Sequence, residues 1–186
     1  VKTFREAAAV AADYGERLVV ESEVCWAGIQ SWQHALNMLE LVDRANLGHQ
    51  TDMSHVLTEL LGINAPEHTL LYPDFTGEQL DSAWSCAVNA LRSRTFDFHV
   101  AQSDGTTHGS GSHDATGKHC LPTDVHGKLD IVRHAGPWLW NAQARGLKHL
   151  CWDGCMFDNS VLENPSTWNS ILEVMIKVRD AHGWNE

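Results

Sequence analysis

Hydrophobic and polar positions along the chain follow two different periods. Apolar residues recur at helical spacing in several segments, which predict amphipathic helices over residues 1–15, 31–44, 80–94, 128–146 and 164–183. Short apolar or alternating runs lie between the helices and predict strands over residues 16–24, 46–55, 95–102 and 147–154. Helices and strands that alternate in this way are typical of a parallel α/β architecture, not of a helical bundle or a β-sandwich.

Apolar stripes on two of these helices predict which face is buried. The stripe of the helix over 80–94 consists of Leu80, Trp84, Val88 and Leu91. The stripe of the last helix consists of Trp168, Leu172, Met175 and Val178. Residues at this spacing lie on one side of a helix, so we expect both sets to face the core.

Length and charge narrow the classes of function. The 186 residues, of which 43% are hydrophobic, can bury one core, and we expect a single domain over residues 1–186. Asp and Glu number 24 against 13 Lys and Arg, and the net charge of −11 repels nucleic-acid phosphates and anionic lipid. We therefore expect neither nucleic acid nor a membrane as a partner.

Cysteine usage and hydropathy indicate the compartment. The 5 cysteines form no Cys-x-x-Cys pair, which favours reduced thiols over a disulfide framework. No apolar run approaches the roughly 20 residues that a membrane-spanning helix needs. These features predict a cytoplasmic location.

Each predicted strand ends in side chains that can bind a metal ion. They are Glu21 with Glu23, Asp52 with His55, His99, and Asp153. The carboxyl ends of the strands in an α/β barrel converge on one face, so we expect these groups to meet. Carboxylates with one imidazole favour Mn²⁺, Mg²⁺ or Co²⁺ over a thiolate zinc site. The alternative for each residue taken singly is a helix cap or an ion pair.

Strand alternation places Glu21 and Glu23 on the same side, so the choice between these two carboxylates stays open. We prefer Glu21 because it follows directly on the apolar run RLVV.

Four segments, in this order and at barrel spacing, resemble the xylose isomerase-like TIM barrels, a group of sugar isomerases and epimerases with the AP endonucleases as relatives. The segments are VVESEV, NLGHQTDMSH, FHVAQSDG and HLCWDG, and Asp52-x-x-His55 is their most specific piece. The resemblance implies an α/β fold of the (β/α)8 TIM-barrel type. A whole barrel has about 250 residues, so we expect this chain to cover about four C-terminal βα units, with the N-terminal strands absent.

The resemblance also implies roles for the site residues. Glu21, Asp52, His99 and Asp153 would bind a divalent metal ion, and His55 would reach the substrate. Mn²⁺ would be the ion, with Mg²⁺, Co²⁺ or Zn²⁺ as alternatives. Two features depart from the family pattern: Asp153 stands where the family usually has Glu, and Glu23 is a competing carboxylate.

These roles predict proton-transfer chemistry on a sugar or sugar derivative. A divalent ion that holds a carbonyl and the adjacent hydroxyl stabilises the enediolate formed on deprotonation. Glu21 and Asp153, on opposite sides of the substrate, would remove and return the proton. The expected reaction is ketose–aldose isomerisation or epimerisation. Trp26 or Trp152 would form an apolar wall of the site, or else belong to the core.

The histidine-rich segment that follows His99 has two interpretations. Its length and its glycines predict a mobile lid over the metal, in which His113 and His119 contact the substrate. Solvated surface histidines are the alternative. Further on, Asp124 and His126 repeat an Asp-x-His pattern at the position where the endonuclease relatives bind additional metal, but the net charge of −11 argues against that activity.

Two other functions fit the same residues. The catalytic subunits of C-glycoside deglycosidases resemble these barrels, use a divalent metal, and cleave a carbon–carbon bond of an oxidised glycoside together with a smaller subunit. The second alternative function is that of a non-catalytic half-barrel that binds a ligand. Turnover of simple ketoses would distinguish an isomerase from a lyase. A half-barrel leaves sheet edges open, so we expect a homo-oligomer or a heteromeric partner.

Overall fold

The computed structural model of the chain describes residues 1–109, 115–155 and 157–183. The α-helices in these ranges are α1 (Lys2–Asp13), α2 (Trp32–Val42), α3 (Met53–Leu60), α4 (Gly77–Leu91), α5 (Ile131–Leu139), α6 (Asn159–Leu162) and α7 (Pro165–His182). The strands are β1 (Leu18–Glu21), β2 (Leu47–Asp52), β3 (Thr95–Val100), β4 (Gln102–His108), β5 (Thr116–Cys120) and β6 (Leu150–Trp152). Short 3-10 helices lie at Pro66–His68 and Arg92–Arg94.

Four of the strands form a parallel sheet in the order β1-β2-β3-β6. Asp52 at the end of β2 pairs in register with His99 of β3, and His99 pairs with Cys151 of β6. Glu21, the last residue of β1, pairs with Gln50 of β2. The carboxyl ends of all four strands therefore lie side by side at one edge of the sheet.

The two faces of this sheet have different surroundings. Phe98 of β3 and Leu150 of β6 face the hydrophobic core, which residues from the helices complete. Successive side chains of a strand point to opposite faces, so His99 and Cys151 lie on the other face. Val19 of β1 is on that face as well and is 40% exposed. The helices thus cover one face and leave the face that carries His99 more open.

The core confirms one predicted stripe and corrects part of the other. All members of the α4 stripe are buried. On α7 the prediction is wrong for Trp168 and Leu172, which are 48% and 58% exposed. Thr167 and Ile171, each one position earlier, are buried instead. The reason is that α7 packs mainly along α5 and not on the sheet, so its buried face is turned relative to the apolar stripe.

Helix α3 is absent from the predicted elements, and the predicted strand over 46–55 is too long. β2 ends at Asp52, whose Oδ1 accepts hydrogen bonds from the backbone N–H groups of Ser54 and His55 and so caps α3. All 8 residues of α3 are buried, because the helix lies between the sheet and the β4–β5 hairpin. The apolar residues of α3, Met53, Val56, Leu57 and Leu60, do stand at helical spacing. The helix was missed because the strand predicted over 46–55 took in its first turn.

The segment predicted to be a mobile lid is mostly a β-hairpin. β4 and β5 pair antiparallel and pack against α3. Gly117 of β5 permits this close contact, since a Cβ atom there would lie 3.1 Å from Ser54 Oγ and 3.3 Å from His55 Cδ2. The loop prediction is therefore wrong over 103–108 and 116–120. His113 lies outside the described residues.

Candidate metal centre

The four predicted metal ligands lie together at the carboxyl edge of the sheet. Each offers one ligand atom, and the four atoms all lie within 4.8 Å of one another; the residues are Glu21, Asp52, His99 and Asp153. Glu21 and Asp52 end their strands, His99 stands one position before the end of β3, and Asp153 directly follows β6. The strand register is therefore sufficient to bring them together.

Asp52 is the most deeply buried member of this group, with 1% of the residue exposed. Its Oδ1 caps α3, whereas its Oδ2 has no hydrogen-bond partner among the described residues and lies 3.9 Å from Nδ1 of His99. Burial by itself would raise the pKa of Asp52, but His55 and His119 outweigh burial and lower this pKa to about 2. Asp52 is therefore ionised, with one oxygen free of hydrogen bonds.

His99 links the carboxylates of Asp52 and Asp153. Its Nδ1 lies 3.2 Å from Oδ2 of Asp153 and 3.2 Å from Nε2 of Gln50. Burial lowers the pKa of His99, but the hydrogen bond with Asp153 and the other neighbouring groups outweigh burial and raise this pKa to about 11. Against the effect of burial, the same hydrogen bond lowers the pKa of Asp153. A protonated His99 thus supplies positive charge to the acidic group.

Glu21, not Glu23, belongs to the four-residue group. Oε1 of Glu21 is buried, has no hydrogen-bond partner in the part of the chain that the structure describes, and lies 3.4 Å from Nδ1 of His55. Burial raises the pKa of Glu21, and the nearby Asp52 and Asp153 carboxylates act in the same direction. Glu23 lies at the other nitrogen of His55, with 3.8 Å between Oε1 and Nε2.

His119 is a buried strand residue beside Asp52. Its Nε2 lies 3.3 Å from Oδ1 of Asp52, and its Nδ1 lies 3.1 Å from the carbonyl oxygen of Gly117. Burial lowers the pKa of His119, but the contact with Asp52 outweighs burial and raises it. Asp52, His55 and His119 form a second group of ligand atoms within 4.8 Å of one another. The alternative of a solvated surface histidine is therefore wrong for His119.

The other predicted site residues lie further from this group. Trp26 is 55% exposed and donates from Nε1 to Oε2 of Glu23 at 2.6 Å, so it stands at the rim of the site. Asp124 accepts the backbone N–H of His126 through Oδ1, and the His126 ring is exposed. That Asp-x-His pattern is therefore a local turn in the part of the chain that the structure describes.

A buried polar network next to the site escaped sequence reasoning. Oγ of Ser22 lies 2.9 Å from Nε2 of His49, and the Ser22 carbonyl oxygen lies 3.2 Å from Nδ1 of His55. Glu59 of α3 is fully buried near Ser22, and burial raises its pKa to about 8. The signal that could have revealed it is the spacing of Glu59, four positions after His55 and so on the same side of a helix.

The donor set fits a hard or borderline divalent cation. Three carboxylates and one imidazole are the ligands that such ions accept. Glu21 Oε1 and Asp52 Oδ2 are buried and accept no hydrogen bond from the described residues, which is unfavourable unless a cation or proton compensates them. The site is therefore able to hold a divalent metal ion through these residues.

Comparisons with known proteins bear on the fold. No protein family matches the sequence, and no curated protein is similar to it. Among solved structures, the chain is similar to the xylose isomerase domain protein from Planctomyces limnophilus, with a TM-score of 0.61 at 14% sequence identity. The match covers 98% of this chain and 53% of that structure.

The chain has the fold of half a xylose isomerase-like TIM barrel.

The half-barrel confirms the predicted fold class and accounts for the position of the site. Active sites of TIM barrels are built at the carboxyl ends of the strands, which is where the four ligand candidates lie. The half-barrel spans about half the length of the structure that it matches. None of its described helices has the length and apolar character needed to cross a membrane.

Proposed function

We propose that the half-barrel carries the metal site of a divalent-metal-dependent sugar isomerase or epimerase. The observation that carries the proposal is the convergence of Glu21, Asp52, His99 and Asp153 within 4.8 Å at the carboxyl edge of a parallel sheet. The description of the similar Planctomyces limnophilus protein as a xylose isomerase domain protein supports the choice of reaction class.

The four residues would hold Mn²⁺, with Mg²⁺, Co²⁺ or Zn²⁺ as alternatives. Such an ion would supply a Lewis acid that polarises a substrate carbonyl and stabilises negative charge next to it. Asp52 is prepared for its role because two backbone N–H groups hold Oδ1 and leave Oδ2 as the donor.

Glu21 and Asp153 would exchange the substrate proton. Their side chains are 30% and 21% exposed, so both can be reached from the open face of the sheet. The backbone N–H of Cys155 donates to Oδ1 of Asp153 at 2.7 Å and orients it. One carboxylate would remove the proton next to the carbonyl. In epimerisation the other, protonated carboxyl group would donate a proton to the opposite side of the same carbon. In isomerisation a proton would be added to the former carbonyl carbon, while the hydroxyl proton passes to the other substrate oxygen.

Histidines and a tryptophan would bind the sugar around this centre. His55 and His119 lie next to Asp52 and would contact substrate hydroxyl groups. Trp26 would form an apolar wall at the rim, where its ring is 55% exposed. The role of His113 as a further contact stays a prediction.

The open face of the sheet supports the expectation that the half-barrel associates with another chain. Val19 and Cys151 are exposed on the face that carries His99, whereas the interior of a complete barrel is filled by packed side chains. We propose that this face is covered by further βα units, in a second copy of the chain or in a partner of another sequence.

Asp52→Asn tests the metal site most directly. Asparagine caps helices as well as aspartate does, so the variant keeps the start of α3 and removes only the charge. We expect stoichiometric Mn²⁺ in the wild type and at least a 100-fold loss of affinity in the variant. Asp124→Asn is the matched control, because Asp124 also accepts a backbone N–H but lies outside the group. A wild-type protein that binds no divalent ion would contradict the proposal.

Proton exchange tests the reaction class. Simple ketoses incubated with the Mn²⁺-loaded protein in D₂O should gain deuterium next to the carbonyl, observed by NMR, and Glu21→Gln or Asp153→Asn should abolish the exchange. A protein that exchanges no ketose but cleaves an oxidised C-glycoside would replace the isomerase by the deglycosidase. Metal binding without either reaction would leave a binding module.

A further inference from the structure

A third group of metal-binding side chains lies outside the strand-end site. It contains His34 of α2 together with Glu67 and His68 of the 3-10 helix, each with one ligand atom within 4.8 Å of the others. The group shares no residue with the two groups around Asp52. We propose that His34, Glu67 and His68 form a binding site for Zn²⁺ that joins the start of α2 to the segment after α3.

The donor atoms are close to the separation that such a site requires. Nε2 of His34 lies 3.9 Å from Oε1 of Glu67, and the His34 and His68 rings meet edge to face with 4.6 Å between centroids. With metal–ligand distances of about 2.0–2.2 Å, two ligands of a tetrahedral zinc ion lie roughly 3.3 Å apart. The Glu67 side chain is 60% exposed and can make the remaining movement without disturbing the core.

Ser31 holds the His68 ring in an orientation that suits metal binding. It is fully buried, its Oγ accepts the backbone N–H of His34 as the cap of α2, and the same Oγ lies 2.7 Å from Nδ1 of His68. When Nδ1 of His68 donates to this oxygen, Nε2 carries the lone pair that a metal needs. Metal-binding histidines commonly have such a partner at the second nitrogen.

Neither ring nitrogen of His34 is occupied by a hydrogen bond among the described residues. Nδ1 is buried and has no hydrogen-bond partner among the described residues, and Nε2 faces the Glu67 carboxylate. Two imidazoles and one carboxylate with an open fourth position form a zinc-type set, and imidazole-rich sites select Zn²⁺ over Mn²⁺ or Mg²⁺. This preference separates the group chemically from the carboxylate-rich strand-end site.

Zn²⁺ titration of metal-free protein in an Asp52→Asn background tests the site independently of the strand-end group. We expect one equivalent of Zn²⁺ by calorimetry and shifts of the His34 and His68 ring ¹⁵N signals in NMR spectra. His34→Gln, Glu67→Gln and His68→Gln, each added to this background, should lower the affinity at least tenfold. His149→Gln and Glu173→Gln, at exposed positions, are the matched controls.

Other outcomes would overturn the site. The proposal fails if the protein binds no Zn²⁺. It also fails if Glu67→Gln and its Glu173→Gln control bind Zn²⁺ with the same affinity. The Glu67 variant keeps the test valid if His68→Gln loses its contact with Ser31 and fails to fold, since Glu67 is exposed. The result does not depend on Mn²⁺ binding, so failure of this site and failure of the proposed function are distinguishable.

Discussion

Nε2 of His119 lies 3.3 Å from Oδ1 of Asp52, and both side chains are almost completely buried. His119 belongs to the β4–β5 hairpin, whereas Asp52 ends the second strand of the parallel sheet. The hairpin therefore contributes to the candidate metal centre although neither of its strands belongs to that sheet. Its imidazole is one of the groups that keep Asp52 ionised.

His119→Gln should lower Mn²⁺ affinity about 10- to 100-fold, the usual effect of removing a group that orients a metal ligand. Isothermal titration calorimetry measures the change. His134→Gln is the matched control, because His134 is a similarly buried histidine on α5 that does not contact Asp52. Equal affinities of the two variants would show that His119 does not support Asp52.

Metal affinity should rise with pH because the ion competes with the proton on His99. The hydrogen bond with Asp153, together with the neighbouring Cys151 and Asp52, outweighs burial and raises the pKa of His99 to about 11, so the ring is protonated in the metal-free protein at neutral pH. Between about pH 6 and about pH 8, we expect roughly a tenfold gain in affinity per pH unit and about one proton released per ion. Calorimetry in buffers of different ionisation enthalpy counts the proton. An affinity that does not change over this range would contradict the prediction.

Gly117→Ala should separate the hairpin from α3. The new Cβ would lie 3.1 Å from Ser54 Oγ and 3.2 Å from Thr58 Oγ1, and overpacking of this kind costs about 1–3 kcal/mol of unfolding free energy. Urea denaturation measures the loss. Gly77→Ala, at the start of α4, is the control because no atom lies within 4 Å of the added Cβ. Equal stability of the two variants would argue against tight hairpin packing.

Glu59→Gln should gain stability relative to the wild type as pH rises from about 4.5 to about 8. Burial raises the pKa of Glu59 from 4.5 to about 8, so in this range the unfolded wild type releases a proton that the folded protein keeps. Because of Glu59, the free energy of unfolding of the wild type therefore falls by up to about 1.4 kcal/mol for each unit that the pH rises in this range. The amide side chain of the Glu59→Gln variant does not titrate, so the variant does not lose stability in this way.

Denaturant titrations of metal-free protein at about pH 5 and about pH 8 measure this difference. Glu173→Gln, at an exposed position of α7, should show the same pH dependence as the wild type. A difference between Glu59→Gln and the wild type that stays constant with pH would mean that Glu59 has an ordinary pKa.

Sequence reasoning reached the strand-end residues because each lies at a local pattern boundary. Asp52 ends β2, Asp153 directly follows β6, and His99 alternates with Phe98 and Val100, which are buried. Once the strands are taken as parallel, their carboxyl ends must meet at one edge. The sequence left the choice between Glu21 and Glu23 open. The apolar stripe of α4 was also predictable from a local pattern, because residues at this spacing lie on one face of the helix and that face packs against the core.

Only the tertiary structure decided which other groups join the site. The position of His119 depends on the pairing of β4 with β5 and on the packing of this hairpin across α3, and neither follows from the spacing of residues along the chain. The contacts of Glu21 and Glu23 with opposite nitrogens of His55 likewise arise from packing between β1 and α3. Periodicity along the sequence determines which way a side chain points from its own element; which residue it meets depends on how separate elements pack.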